Sequence, residues 1–157
     1  IDRSLTMFLT DIKIDTMSDE NNKLQLIYLE INKNLERIGD MAINIMEMAT
    51  QILNDKGSFS DAAINELNMM FEILYQMIDI TFKYVENKNL DDYGELCIKE
   101  EEMDSLDSRA RQNHFNRAAK HECNSAVASS LYSDILYNLE RMAGHCCNIA
   151  KNVFIRQ

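Results

Sequence analysis

The sequence has no proline, and only four of its 157 residues are glycine. Average proline usage of about 5% would give roughly eight prolines in a chain of this length. Sandwiches, barrels and βαβ folds need many turns, and those turns are rich in glycine and proline. The scarcity of both residues therefore predicts an all-α protein, an antiparallel bundle of long helices joined by short turns.

The charge balance is acidic, with a formal net charge of -10 at pH 7. Such a chain is repelled by a phosphate backbone, so we expect no nucleic-acid partner. A surplus of carboxylates suits cationic partners such as metal ions, or it makes nothing more than an acidic soluble surface. The four cysteines include no CxxC pair, which favours reduced thiols in the cytosol.

Apolar residues recur every three or four positions in four long segments, which predicts four long helices. These run from Ser18 to a stop near Asn54–Gly57, from a cap at Ser58 or Ser60 to the polar run Asn87–Asn89, from about Asp91 to about His121, and from about Ala126 to Ile155. Residues 1–17 are predicted to be the end of another helix. The predicted buried stripe of the first long helix is Leu24, Ile27, Ile31, Leu35, Ile38, Ala42, Ile45, Ala49 and Ile52. Most of the ten methionines lie on or beside such stripes, so we expect them in the core.

Two segments far apart in the chain are similar in sequence and form an internal repeat. Residues 30–45 read EINKNLERIGDMAINI and residues 134–149 read DILYNLERMAGHCCNI, with seven identities in sixteen positions. Several identities are polar, which shared helical periodicity alone does not explain. The sequence therefore predicts one domain, residues 1–157, that contains a partial first repeat (1–55) and a second repeat (58–157).

Paired carboxylates are the chemically informative residues. Glu36 and Asp40 are four residues apart, which places them on one helix face about 5–6 Å apart at Cβ. Glu100 and Asp104 repeat the spacing. Two such pairs on adjacent helices would supply oxygen ligands for hard or borderline cations. The alternative is a solvated charged face, partly neutralised by arginines.

Other site chemistries have weaker support in the sequence. No histidine follows a glutamate by three residues, as the ligands of a di-iron bundle would. His145, Cys146 and Cys147 are consecutive and point in different directions on a helix, so a structural role is expected. Gly39 lies inside a helix at a cost of about 1 kcal/mol, which predicts the close approach of a helix or ligand.

The segments NLERIGDMAINI and NLERMAGHCCNI resemble the signature of PhoU domains. These domains pair three-helix repeats that carry E(D)xxxD motifs, and the resemblance spans nearly the whole chain. The segments EEEMDSLDSRARQNHFNR and YSDILYNLER are more similar to the cytosolic C-terminal domain of bacterial sodium/phosphate cotransporters.

The resemblance implies multinuclear iron or zinc clusters held by the ExxxD carboxylates. The implied ligands are Asp2, Glu36 and Asp40 in the first repeat, and Glu100, Asp104 and Glu140 in the second. Two positions depart from the family pattern. Gly144 stands where the second repeat should have an aspartate, and Met41 replaces the histidine that His145 retains. Both clusters are therefore expected to be incomplete.

The expected function is that of a regulatory, non-catalytic domain in phosphate transport. Because the chain begins with Ile1 and its first repeat is truncated, we expect a soluble fragment of a sodium-dependent phosphate transporter. Its partner would be the transmembrane domain of the same polypeptide, at the cytoplasmic face of the inner membrane. The alternative is a free-standing PhoU-type regulator, and a carboxylate-bundle metalloenzyme is less favoured. The sequence leaves open whether the chain forms a homo-oligomer.

Overall fold

Long helices account for nearly all of the structure, a computed structural model that describes residues 2–12 and 18–155. The elements in those ranges are five helices: α1 (Asp2–Asp11), α2 (Asp19–Asn54), α3 (Asp61–Asn87), α4 (Leu90–Ala119) and α5 (Ala126–Ile155). No strand occurs among the described residues. The predicted all-α class is confirmed. The C-terminal part of the predicted helix over 1–17 lies outside the described residues.

Each long helix begins at a side chain that caps its first turn. The Oγ of Ser18 accepts a hydrogen bond from the backbone N–H of Asn21, and Ser60 Oγ accepts one from Ala63. Asn89 caps α4 in the same way. Such caps satisfy N–H groups that lack a partner within the helix. The helix start predicted at Ser18 is therefore confirmed, and of the two predicted caps Ser58 and Ser60, the structure uses Ser60.

Helices α3, α4 and α5 pack against one another, and two-residue and six-residue connections join them in an up-down-up order. At one end of this trio, the Tyr132 hydroxyl reaches Glu66 of α3. At the other end, the rings of Tyr93 and Phe154 stack with centroids 5.0 Å apart. Helix α2 lies along α5, and α1 lies on α2. The division of the chain into repeats 1–55 and 58–157 stays a prediction.

The core lies where α5 meets its neighbours. Met70, Met77 and Met103 are completely buried, whereas Met7, Met46 and Met69 are more than half exposed. The predicted core role is therefore confirmed for some of the methionines and wrong for these three. Four apolar residues on one side of α4 are also buried: Leu96, Met103, Leu106 and Ala110. Burying a leucine or methionine side chain contributes about 1.5–3 kcal/mol relative to leaving it exposed.

The predicted stripe on α2 is only partly buried. Ile27 and Ile52 are buried, whereas Leu24, Leu35, Ala42 and Ala49 are exposed. The reason is that α2 makes its main contacts with α5 on one side and with the short α1 on another. These contacts leave a sector of its apolar face uncovered, so the prediction of a fully buried stripe is wrong.

A pair of substitutions at equivalent repeat positions tests the difference in burial between α2 and α5. Leu139 is 0% exposed and Leu35 is 38% exposed. We expect Leu139→Ala to lower the free energy of unfolding by about 2–5 kcal/mol, because it leaves a cavity in the core. Leu35→Ala should cost less than about 1 kcal/mol. Urea denaturation followed by circular dichroism measures both, and equal costs would contradict the observed packing.

Candidate functional site

The α2–α5 interface is organised by two asparagines that occupy equivalent positions in the repeat. Asn34 Nδ2 donates to the Glu30 carbonyl at 2.7 Å, and Asn138 Nδ2 donates to the Asp134 carbonyl at 2.7 Å. Both asparagines are buried. Each one anchors to the carbonyl four residues earlier, so its side-chain oxygen remains free to face the other helix.

These oxygens join the two helices. Asn34 Oδ1 lies 2.8 Å from Nδ1 of His145, and Asn138 Oδ1 accepts a bond from Asn44 Nδ2 at 3.4 Å. Because Asn34 offers an oxygen, Nδ1 of His145 carries the hydrogen. Both asparagines are identities of the internal repeat, but the sequence indicated no role for them. Their polarity inside an otherwise apolar repeat is the signal that could have revealed one.

His145 is held in its neutral form. Burial lowers the pKa of His145, and the nearby positive charges of Arg141, Arg37 and Lys33 lower it further. A protonated imidazole would lose hydration and be repelled by these three positive charges. The expected structural role of His145 is consistent with this position at the helix interface.

Glu36 and Asp40 are exposed on α2. Asp40 Oδ2 lies 3.7 Å from Arg37 Nη1, and both side chains are more than half exposed. An ion pair in water contributes little to stability. The side chain of Asp2, the third predicted ligand of the first repeat, lies outside the described residues. In the described part of the chain, this face therefore has the character of a solvated charged surface.

The second-repeat carboxylates are more closely associated. Burial raises the pKa of Glu140 on α5, and the negative charges of Asp104 and Asp107 on α4 raise it further. Arg141 and Arg111 act in the opposite direction. The negative charge of Asp104 on α4 therefore acts on Glu140 on α5.

Glu100, the remaining predicted ligand, has different neighbours. Its side chain hydrogen-bonds the thiol of Cys147. It lines a cavity of about 230 Å³ together with Tyr93, Leu96, Cys97, Cys147, Asn148 and Lys151. Burial raises the pKa of the Cys147 thiol, and the charge of Glu100 adds to that effect. The thiol is therefore protonated at neutral pH.

Asp107 was not among the predicted ligands, yet it has an unusual environment. Arg111 Nε donates to Asp107 Oδ2 at 2.7 Å, while Asp107 Oδ1 is buried without a hydrogen-bond partner. A buried oxygen without a partner costs free energy and is rare in folded proteins. A cation or a water molecule at this point would satisfy it.

The donor chemistry of the α4–α5 carboxylates suits a hard cation, because all the donors are oxygens and one of them lacks a partner. The arrangement of these carboxylates is less suited to binding a cation. Within residues 2–12 and 18–155, no three His, Cys, Asp or Glu side chains are grouped so that they could hold a metal ion. Metal ligation at the predicted residues therefore stays a prediction, and we assign no chemical step to a metal.

Gly39 lies inside α2, and Gly144 lies inside α5. A Cβ at Gly39 or at Gly144 would meet no heavy atom of a neighbouring element within 4 Å. The predicted close approach of a helix at Gly39 is therefore wrong. Helix α2 and its neighbours do not require a glycine for packing at that position.

A further polar cluster joins α3, α4 and α5. Glu66 accepts two hydrogen bonds from Arg117, at 3.1 and 2.8 Å, and one from Asn113 at 2.8 Å. The Tyr132 hydroxyl donates to the same carboxylate. Burial alone raises the pKa of Glu66, but these donors outweigh it and the pKa is lowered. The sequence does not predict this cluster, because its members lie on three helices and share no local spacing.

The environment of His145 predicts how stability depends on pH. Its pKa is lowered in the folded state, so the unfolded state binds more protons below the ordinary histidine value of about 6.5. The stabilising contribution is fully present above about pH 6.5 and is lost as the pH falls through the folded pKa. His145→Gln keeps a hydrogen-bond donor for Asn34 but cannot titrate.

We therefore expect the free energy of unfolding of His145→Gln to fall less steeply between pH 7 and pH 5 than that of the unmodified chain. His114 also has a lowered pKa, caused mainly by burial, so part of the slope should remain. The matched control is His121→Gln, since His121 is exposed. Urea titrations at several pH values measure the slopes, and a His145→Gln slope equal to that of the control would contradict the prediction.

None of the described helices carries an apolar stretch long enough to cross a membrane. This finding concerns residues 2–12 and 18–155 alone.

Comparisons with known proteins agree with the all-α fold. The family model of the PhoU domain matches residues 67–153, which is more than half of the chain. A curated relative, the phosphate-specific transport system accessory protein PhoU homolog 1 of Thermotoga maritima, is 26% identical over 125 residues. The aligned region is 80% of this chain and 53% of the relative, so the chain spans about half the relative's length. No solved structure gave a significant match.

The matched region contains most of α3 and all of α4, together with most of α5. It therefore includes the three mutually packed helices and three of the predicted ligands, Glu100, Asp104 and Glu140. On this basis, the chain belongs to the PhoU domain family.

Proposed function

We propose that this chain is a non-catalytic domain that regulates phosphate transport by binding a transport protein at the cytoplasmic face of the membrane. The observation that carries the proposal is the family match over the α3–α5 bundle. The name of the Thermotoga relative supports it, because that protein is described as an accessory protein of phosphate-specific transport.

The proposal also specifies which kind of transporter is regulated. The segments around Glu100–Arg117 and Tyr132–Arg141 favour a sodium-dependent phosphate transporter, with its transmembrane domain in the same polypeptide. The Thermotoga relative supports a free-standing regulator at least as well. The sequence of the whole gene separates the two forms, because hydrophobic spans encoded in the same frame would favour the fused form.

Phosphate uptake by living cells tests the regulatory role. Cells that lack the codons for residues 1–157 should continue to take up labelled phosphate when external phosphate is abundant. Cells with the intact gene should reduce their uptake under the same conditions. Identical uptake curves in the two strains, at low and at high phosphate, would contradict the proposal.

We also propose that Asp104 and Glu140, with Glu100, bind iron or zinc after their side chains rearrange. The mutual electrostatic influence of Asp104 and Glu140 supports this assignment, as does the partnerless oxygen of Asp107 beside Arg111. The proposed ligands of the first repeat remain Asp2, Glu36 and Asp40. The less favoured metalloenzyme would additionally need turnover, for which no residue is proposed.

Metal analysis of purified protein tests the ligand assignment. After incubation with Fe²⁺ or Zn²⁺ and desalting, Asp104→Asn and Glu140→Gln should retain at least about threefold less metal than the unmodified chain, because each loses a charged oxygen donor. Glu101→Gln is the matched control, since Glu101 is an exposed neighbour on the same helix. Glu36→Ala and Asp40→Ala test the first repeat. Unchanged metal content in every variant would remove these residues as ligands.

A further inference from the structure

A groove of about 400 Å³ lies between α3 and α4. Its apolar lining comes from Met69 and Ile73 on α3 and from Ile98 and Leu106 on α4. Met69 is 52% exposed and Ile98 is 59% exposed, so both side chains are in contact with solvent. No described residue of α1, α2 or α5 lines the groove, which is therefore separate from the α2–α5 interface. Apolar side chains grouped in this way indicate an interaction surface.

The two helices that form the groove carry most of the negative charge. Helix α3 has five acidic residues and one basic residue, and α4 has eight acidic and four basic residues. Together they have a net charge of -8, compared with -10 for the whole chain. Helix α5 has two residues of each sign and is neutral. The acidic character of the protein is therefore concentrated around this groove.

Several carboxylates at the groove are not neutralised by the chain itself. Glu101 and Glu102 lie on its rim, and Lys99 Nζ pairs with Glu102 at 2.8 Å. In the part of the chain that the structure describes, no lysine or arginine pairs with Glu101. The same is true of Glu95, which is exposed one turn before Ile98 on α4. An occupant of this groove must therefore complement both apolar side chains and negative charge.

These charges select among the classes of occupant. A second copy of this chain would bring a net charge of -10 to an acidic groove, and the anionic lipids of a membrane surface would also be repelled. A segment rich in lysine and arginine would be attracted instead. The α4 lining extends from Ile98 to Arg109, roughly 16 Å along the helix axis, which corresponds to three turns of a helix lying in the groove.

We propose that the α3–α4 groove binds a helical segment rich in lysine and arginine, whose apolar side chains pack on Met69, Ile73 and Ile98. The segment belongs to a cytoplasmic loop of the regulated transport protein, because such loops carry an excess of lysine and arginine. This source rests on the function proposed above, whereas the chemistry of the groove does not. Arg109 lies at the end of the groove away from Ile98, so the positive end of the segment lies beside Glu101.

A labelled peptide of about 14 residues, made of leucine and lysine, is the direct probe. Its leucines are spaced by three and four residues, so that they share one helix face. We expect saturable binding to the purified chain in fluorescence anisotropy. A peptide with glutamate in place of every lysine should bind at least about tenfold more weakly, because like charges repel. Ile98→Lys and Glu101→Lys should each weaken binding of the lysine peptide at least about fivefold.

Matched controls exist on α2. Ile43 is 51% exposed, close to Ile98, and Glu47 is exposed as Glu101 is. Ile43→Lys and Glu47→Lys make the same changes in charge and should leave peptide binding unchanged within about twofold. Circular dichroism melting curves should show that all four variants fold as the unmodified chain does, since exposed substitutions cost little stability.

Phosphate uptake tests the source of the segment. Cells whose chromosomal gene carries Ile98→Lys and Glu101→Lys should take up labelled phosphate at high external phosphate as the deletion strain does. Cells with Ile43→Lys and Glu47→Lys should behave as cells with the intact gene. If deletion changes uptake and the groove variants do not, the transporter segment is not the occupant.

Peptide binding does not depend on uptake, so the two proposals fail in different experiments. The regulatory proposal fails if the deletion strain takes up phosphate as the intact strain does. Equal binding of the two peptides, or equal losses in the groove variants and the α2 controls, would overturn the groove as a site for a basic segment. A dimer in light scattering that Ile98→Lys dissociates would also overturn it, because the groove would then bind a second copy of this chain.

Discussion

The burial of α5 is the constraint on which the rest of the structure depends. This helix contacts α2, α3 and α4, and twelve of its residues are buried. Its apolar stripe is therefore unusually wide, and each neighbour occupies a different sector of it. A helix that is apolar around much of its circumference is stable in water only when several partners cover it. Helices α2, α3 and α4 cover α5 in this way.

Two kinds of polar contact give this apolar packing a defined register. The Asn34 and Asn138 side chains fix α2 against α5, while the Glu66 carboxylate fixes α3 and α4 against Tyr132 of α5. Apolar contacts tolerate sliding by small amounts, but buried hydrogen bonds are satisfied in only one alignment. The position of Asp104 relative to Glu140 follows from that alignment, and so does any metal chemistry at this face.

The sequence predicted the helices well because helix signals are local. Ser18 and Ser60 cap helices within three residues of themselves, and the apolar period of α4 is visible in Leu96, Met103, Leu106 and Ala110. Periodicity shows which side of a helix is apolar, but it does not show whether a partner is present. The prediction for Leu35 failed for this reason. The Glu66 cluster was missed because its partners are brought together only by the fold.

Ligation at the proposed site stays a prediction. The charge of Asp104 acts on Glu140, whereas Glu100 lies against Cys147. Side-chain orientation within a motif depends on the facing helix, and i,i+4 spacing cannot specify it. The partnerless oxygen of Asp107 has no sequence signal, since it arises from burial in the folded chain.

The open space at Gly144 has an evolutionary consequence. Because a side chain there would meet no neighbouring element, the second repeat could acquire an aspartate at this position without repacking the core. The change would also remove a helix-interior glycine, which favours the helix by a few tenths of a kcal/mol. Gain or loss of a fourth carboxylate is thus nearly free of structural cost, and the two copies can diverge in their ligands while the bundle stays the same.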